Sequence, residues 1–528
     1  MSRRALGIAA LAFAGALTAV AACGDTPTET VIASCIPGRS LSCAGPSGCK
    51  GLQVCRSDGT FDECSCPDAT VPADGDVPDG DDHIDGGRRD GALFRDAPVD
   101  APIDAPIDVV DDEAAADVAV DVFVPPAGWG IAFGTGPSGN AVAVAVDASK
   151  NVVVASNGSA ASLTKLAPNG VVTWQKWFAD LSDVAVDPND GSIVVIGGAD
   201  PNTDFGGGVV SAGGVFAAKY TASGVYQWVF GPFGTAPSFR QVAVRSNGNV
   251  VIVGELDQTV NLGSGVLTQA GYGDALLVEL TPAGAIARTK VWGDAGHQEL
   301  GSVAFDASGN VVVGGRAESS IDFGGGPITG PPANSGSHNT FFVKLDANDA
   351  FLGQRATGSN AQDYLSLYGT DSAGRMLVGG RLASKMNFGV GDLLPVTTAD
   401  IVIAALDTSL TQVWAKQFGQ QAGSFISSLA SNPAGGFTAV GYSNPPLSFG
   451  LGGLPPANFP FVVRFDANGT PLANFALSGA VAVPTDIAFL TGSDFVFTGQ
   501  CGLGQVGFPW GSMKCYGNSS GYVARVTP

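Results

Sequence analysis

The residues able to do chemistry are few. The chain has three histidines, His83, His297 and His338, and none sits in a catalytic pattern. There is no HExxH, no CxxCH and no P-loop. "GNSSG" at 517 fits G-x-S-x-G, but a nucleophile elbow needs a strand-to-helix turn, and this match lies between two expected strands. With 75 glycines in the chain, such a match arises by chance. Glycosidase carboxylate pairs need only geometry, so the sequence does not mark them. The expectation is a protein that is not an enzyme, with no cofactor and no metal. The cysteines carry the clearer chemistry, and there are nine.

The first is Cys23. The opening "MSRRALGIAALAFAGALTAVAACGD" has a basic start, Arg3 and Arg4, then apolar or small residues from Ala5 to Ala22. This is the pattern of an export signal, residues 1–22. The closing "VAAC" resembles a lipobox. The resemblance implies cleavage before Cys23, with lipid on its thiol. An ordinary signal peptide with a chance cysteine, or a short membrane anchor, is the alternative; a span needs about 20 strongly apolar residues, and this stretch is mostly Ala and Gly. Several acyl chains suffice for stable anchoring. Gly24 occupies the position where Asp marks inner-membrane retention, so an outer-membrane lipoprotein is expected, on its periplasmic or its cell-surface side. Residues 23–34 form a tether.

Six more cysteines, Cys35, Cys43, Cys49, Cys55, Cys64 and Cys66, fall in residues 35–66. This segment has few large apolar residues and needs covalent staples. Three disulfides are expected, with the pairing open. A zinc site is the alternative, but the segment has no His and no paired CxxC. The segment resembles small cysteine-rich modules of myxobacterial lipoproteins, which carry no known activity.

Residues 67–126 change character. "DAPVDAPIDAPIDVVDD" is typical, and 17 acidic residues stand against Arg88, Arg89 and Arg95. Like charges repel and Pro blocks regular structure, so a disordered linker is expected. "DGDVPDGDDHIDGG" lacks an EF-hand's ligands at Pro78 and His83 and has no closing Glu. The acidic balance, a net charge of -22, argues against nucleic acid as a partner.

From residue 127 the chain repeats. "VAVDASKNVVVAS" at 144 recurs as "VAVDPNDGSIVVIGG", "VAVRSNGNVVIVG", "VAFDASGNVVVGG", "YGTDSAGRMLVGG", "LASNPAGGFTAVG" and "IAFLTGSDFVFTG". Each reads as a β-hairpin with Asx and Gly at the turn. A second hairpin follows, as in "FAAKYTASGVYQWVFG" at 216. Four antiparallel strands per unit predict an all-β propeller over 127–528. The last unit, ending in "SGYVARVTP", lacks a fourth strand, and "GWGIAFGTG" at 128 is a fourth strand alone. Trp129 to Gly134 is therefore expected beside Tyr522 to Val526. Seven blades are predicted, with six as the alternative.

The repeat resembles the bacterial β-propeller repeat family in its myxobacterial form, through "VAVDxxGN", "DFGGG", "FxxKLxxxG" and a closing Trp strand. The resemblance implies the fold and leaves activity open. The "DFGGG" element and its variants suit a tight turn with a plugging Phe or Leu; a rim of cation ligands from Asp204, Asn261, Asp322 and Asn387 is the alternative. Trp174, Trp228 and Trp414 share one strand position, with Trp292 near it, which predicts packing between blades. Trp510 lies in a loop bracketed by Cys501 and Cys515, the fourth expected disulfide. That loop pins the closure or presents a binding surface. The expected role is non-catalytic binding of an envelope protein or a polysaccharide by a monomer. A periplasmic scaffold for outer-membrane protein assembly is the alternative, and a propeller-fold hydrolase or lyase a lesser one.

Overall fold

The computed structural model describes residues 40–44, 50–54 and 127–527, apart from 134–138, 159–160, 331–336, 358–363, 397–399, 420–423, 444–446, 453, 456–458, 480–481 and 517–518. The signal segment, Cys23, Cys35, Cys49, Cys55, Cys64, Cys66 and the acidic tract lie outside the described residues. The chain divides into two compact units, Met1–Ala115 and Ala116–Pro528. In the first, Ser40–Ala44 and Lys50–Val54 pair antiparallel, with Cys43 opposite Gly51. Among the described residues there is no helix, and none is long and apolar enough to cross a membrane.

Among the described residues, the second unit contains seven four-stranded antiparallel sheets. Sheet one is Gly139–Val146, Val152–Gly158, Ser162–Leu166 and Val172–Trp177. Sheet two is Asp180–Val186, Ile193–Ala199, Gly214–Tyr220 and Tyr226–Phe230. Sheet three is Ser238–Val244, Val250–Leu256, Asp274–Leu280 and Ile286–Trp292. Sheet four is Gln298–Phe305, Val311–Ala317, Asn339–Leu345 and Phe351–Thr357. Sheet five is Tyr364–Thr370, Met376–Leu382, Asp400–Leu406 and Gln412–Phe418. Sheet six is Phe425–Ser431, Phe437–Ser443, Phe459–Phe465 and Pro471–Ala476. Sheet seven takes Ala482–Thr491, Asp494–Cys501 and Ser520–Thr527 from the C-terminal end and Ala127–Phe133 from far upstream.

Local sequence dictates these hairpins. The second strands are apolar runs buried on both faces, such as "VVIVGEL", and the fourth strands alternate exposed and half-buried residues, such as "VTWQKW". At the first turn, Asp147 Oδ1 accepts the N–H groups of Ser149 and Asn151 at 2.9 and 2.8 Å, an Asx turn. Asp306 and Asp371 repeat the arrangement.

Neighbouring sheets are joined at two levels. The first strand of each sheet packs on the first strand of the next, and that of sheet seven on that of sheet one. Further out, a fourth-strand residue reaches the second turn of the next sheet. Trp174 Nε1 donates to Ala222 O, Trp228 Nε1 to Pro282 O and Trp414 Nε1 to Ala467 O, at 3.0–3.3 Å. Each ring lies on a glycine of that turn; a Cβ on Gly284 would come within 2.7 Å of Trp228, and its φ is +82°. Arg288, not Trp292, holds this place on sheet three. It donates to Ala347 O, and Asp349 replaces the glycine and pairs with it at 2.9 Å. On sheet four the place is Gly353, where an added Cβ would meet nothing within 4 Å. Trp opposes Gly and Arg opposes Asp, so volume and charge are matched at these junctions.

The strand Ala127–Phe133 belongs to this series. It pairs in unbroken register from Ala127 opposite Thr527 to Phe133 opposite Gly521. Trp129 Nε1 donates to Pro168 O of sheet one at 3.2 Å, over Gly170. The flanking glycines face the other way. A Cβ on Gly128 would come within 2.8 Å of the Trp510 ring, and one on Gly130 within 3.3 Å of Met513 Sδ. Trp510 and Met513 belong to the hairpin Gly504–Phe508 and Gly511–Cys515, stapled by the Cys501–Cys515 disulfide. Half-buried Trp510 stacks on Phe508 and meets Phe475 edge-on, at 5.0 and 5.9 Å.

Candidate ligand-binding face

All seven first strands line one small cavity of about 170 Å³. Each of these strands carries a register shift, and a bulge re-aims side chains. The residues beside the shifts bridge one sheet to the next. Asp183 accepts the Val242 N–H at 2.9 Å, Gln241 that of Val303 at 2.7 Å, and Ser302 that of Leu367 at 3.2 Å. The Tyr368 hydroxyl donates to Ser427 O at 3.4 Å. Asp486 accepts from the Ser428 hydroxyl and from the Val144 N–H of sheet one, both at 2.8 Å. Only Ala143, on sheet one, has no polar atom to offer.

Asp183 is half-buried at the wall of the cavity. That burial pushes its carboxyl up to about 8; the Val242 hydrogen bond opposes the shift and Asp486 adds to it. Burial also raises Asp486. A carboxyl raised in the folded state binds its proton more tightly there than in the unfolded chain. Asp183 therefore lowers stability as pH rises from about 4 to about 8, by about 1.4 kcal/mol per pH unit at most. Asp183→Asn keeps the acceptor for Val242 and removes the charge. Its melting temperature is expected to exceed the parent's by a margin that widens from pH 5 to pH 8.5, where it reaches several degrees. Parallel melting curves for the two proteins across that range would refute this assignment.

Next to this cavity lies a charged cluster between sheets three and four. His297 Nε2 is 2.9 Å from Glu255 Oε1. Arg240 stands 3.5 Å from both Glu255 and Glu299. Arg316 binds Glu299 and lies 3.2 Å from His338 Nε2. The Glu255 hydrogen bond raises the His297 pKa; burial would raise Glu255, but His297 and then Arg240 bring it below its usual value. Burial and then Arg316 lower His338. The donors of Glu255, His297 and Glu299 lie within 4.8 Å of one another, the spacing of a metal cage. Arg240 and Arg316 already occupy the carboxylates, so a cation there would face two guanidiniums.

The remaining candidates have structural partners. Asp204 and Asp322 accept two N–H groups each from their own glycine turns, and Asn261 and Asn387 one each. Phe205, Leu262, Phe323 and Phe388 beside them are buried. Ser519 of "GNSSG" donates to Gly139 O at 2.7 Å. A second cavity, about 480 Å³, includes Asp147 and Asp187, which are held by Lys165 and Lys219. Sequence reasoning missed Asp183, Asp486, Glu255, Glu299 and Arg240, because none belongs to a local motif.

One edge of the sheets is distinct. Antiparallel order places the starts of the first and third strands, and the ends of the second and fourth, on the same edge. Among the described residues, the four most exposed aromatic side chains all lie there. Trp177 ends a fourth strand, Tyr272 and Tyr516 precede third strands, and Phe425 begins a first strand; they are 63%, 64%, 58% and 39% exposed. His297 and Glu255 are on this edge too.

No family model matches the chain, and no curated protein does. Solved structures similar to it include a protein of unknown function from Bacteroides caccae, at 12% identity, 65% of this chain, 94% of that chain and a TM-score of 0.32. YCF48 bound to D1 peptide is similar at 12% identity over 77% and 96% of the two chains, TM-score 0.41. The C-terminal WD40 domain of Sif2 is similar at 10% identity over 77% and 99%, TM-score 0.39.

Proposed function

We propose that the seven sheets are the blades of a closed seven-bladed β-propeller, completed by the strand Ala127–Phe133. Its role is non-catalytic binding, with the exposed aromatic edge as the binding face. The observation that carries this reading is the gathering of Trp177, Tyr272, Phe425 and Tyr516 on one edge. Aromatic side chains left in water cost solvation and recur at recognition surfaces, where their flat faces bury large area with little entropy loss. The opposite edge exposes aliphatic side chains such as Val171 and Val225 instead. In this reading Cys23 carries the lipid, the cysteine-rich module and the acidic tract form the stalk, and the propeller binds a polysaccharide or protein of the cell envelope. A lipid-anchored outer-membrane position follows from the same reading.

The test uses the full mature chain and purified envelope polysaccharide fractions, with binding followed by calorimetry. The parent is expected to bind at least one fraction, and the Trp177→Ala, Tyr272→Ala, Tyr516→Ala triple variant to bind it at least tenfold more weakly, with an unchanged melting temperature. Equal binding by parent and variant would remove the aromatic edge from the account. Protease shaving of intact cells separates a surface-facing adhesin from a periplasmic scaffold.

A further inference from the structure

Six carboxylates gather where sheets three and four adjoin on the aromatic edge: Glu255, Asp257, Asp274, Asp294, Glu299 and Glu318. Against them stand Arg240, Arg316 and His297. Two buried carboxylate oxygens, Asp257 Oδ1 and Asp274 Oδ1, have no hydrogen-bond partner among the described residues. The negative charge exceeds what these cations neutralise, and buried carboxylates are costly unless they are paired or hold a metal.

Within this group Glu255, His297 and Glu299 converge; the two glutamates are buried and the histidine is half-buried. The backbone fixes them. Gly273 bridges His297 in parallel, the Gln298 N–H donates to Gly273 O and the Glu318 N–H to His297 O, both at 2.8 Å. Position 273 has no room for a side chain. A Cβ there would collide with Glu255 Oε1 and come within 3.0 Å of His297 Cδ2. Arg316 Nε donates to Glu299 Oε1 at 2.7 Å, leaving Oε2 to face Arg240.

Arg240 is the loose member. Its Nη2 stands 3.5 Å from Glu255 Oε2 and 3.5 Å from Glu299 Oε2. A close guanidinium–carboxylate contact is about 2.7–2.9 Å. The Arg240 side chain is 49% exposed, so its way out to water is open. One nitrogen therefore marks the point between two buried carboxylates without binding either closely. A divalent ion near that point carries one more charge and binds both oxygens directly.

We propose that Glu255, His297 and Glu299 hold a divalent transition-metal ion of the zinc class, with the Arg240 side chain displaced into water. The inference goes beyond the aromatic-edge reading and stands without it. One imidazole nitrogen with two carboxylates suits zinc, whereas calcium and magnesium take oxygen ligands. Zinc holds such donors at about 2.0–2.2 Å, so neighbouring donors lie about 3.4 Å apart. The three donors here lie within 4.8 Å of one another, and His297 Nε2 is already 2.9 Å from Glu255 Oε1. Side-chain rotation closes the rest. Arg316, on the far oxygen of Glu299, orients that ligand. With Arg240 displaced, the ion faces one guanidinium in place of two. Three protein ligands leave a coordination position open, on the edge that carries Tyr272.

The experiment frees the full mature chain of metal by dialysis against chelator and titrates it with zinc chloride and with calcium chloride by calorimetry. Zinc is expected to bind in a one-to-one ratio, and calcium far more weakly. His297→Gln is expected to weaken zinc at least tenfold. Arg240→Gln, which removes the competing cation, is expected to strengthen it severalfold; this variant carries the test if His297→Gln fails to fold. Metal-free melting curves of both variants show whether they fold. Cobalt in place of zinc should give visible bands without thiolate charge transfer, which separates this site from the cysteines of residues 35–66. Equal zinc affinity in all three proteins, or thiolate bands, places the metal elsewhere and overturns the assignment. Zinc binding by Arg240→Gln alone shows that the guanidinium keeps its place in the native chain, and overturns it too. So does an absence of zinc binding by every one of the proteins.

Discussion

Lys219→Met is expected to destabilise the protein by about 3–5 kcal/mol, the cost of leaving one member of a buried ion pair alone. Lys219 Nζ lies 2.9 Å from Asp187 Oδ2, and the two side chains are 3% and 4% exposed. Burial alone would raise the Asp187 pKa, but the Lys219 hydrogen bond and the Asn189 N–H hold it below its usual value. Without Lys219 the carboxylate keeps its desolvation and loses its counter-charge. The same pair recurs as Asp147 with Lys165 at 2.8 Å and Asp306 with Lys344 at 2.7 Å. Sheet three reverses it: Arg245 takes the aspartate's place and Glu279 the lysine's, at 3.2 Å. A charge exchange therefore has a native precedent. Asp187→Arg combined with Lys219→Glu should recover part of the loss. It should not recover all of it, because Asp187 also accepts from Asn189 in its own turn, and in sheet three Asn247 takes over that task. Urea unfolding midpoints of the parent, the single variant and the exchange variant decide this. Equal midpoints for the single and exchange variants would show that the pair contributes no coupling of its own.

Removing residues 127–133 is expected to have the largest effect of any change considered. Sheet seven would lose its fourth strand and present the edge Ser520–Thr527 to solvent, an invitation to pair with another chain. The core shared with sheet one would lose Trp129, Ile131 and Phe133. The Trp129 hydrogen bond to Pro168, the seventh sheet's link in the outer series, would go with them. The truncated protein is expected to unfold at a markedly lower urea concentration and to elute as oligomers on size exclusion. A synthetic peptide spanning residues 126–134 should restore the monomer. A truncated protein that stays monomeric with the parent's midpoint would contradict this account.

The strands were legible because each repeat is locally consistent. "VAVDASKNVVVAS" names two strands and the Asx turn between them, and the structure forms four-stranded antiparallel sheets from such repeats. The matched pairs between sheets were not legible. Trp228 with Gly284, or Arg288 with Asp349, lie more than fifty residues apart, and no local pattern marks them. Asp183 in "LSDVAVD" and Asp486 in "PTDIAFL" read as ordinary polar positions in half-exposed strands. Their environment comes from the packing of seven first strands around one cavity. The charged edge was hidden for a related reason. Glu255 and His297, or Arg240 and Glu299, belong to different repeats, and only alignment by strand register relates them. Such a register alignment was the signal available in the sequence. The lipidated cysteine and five of the six cysteines in residues 35–66 fall outside the described residues.

The central claim is that a strand from before the first repeat completes the last sheet. Hydrogen exchange of the intact chain, read by mass spectrometry over residues 127–133, tests it without altering the protein. The account predicts protection equal to that of other fourth strands, such as Ile286–Trp292 and Gln412–Phe418, with exchange requiring sheet seven to open. Exchange at the rate of a free peptide, while those strands stay protected, would contradict it.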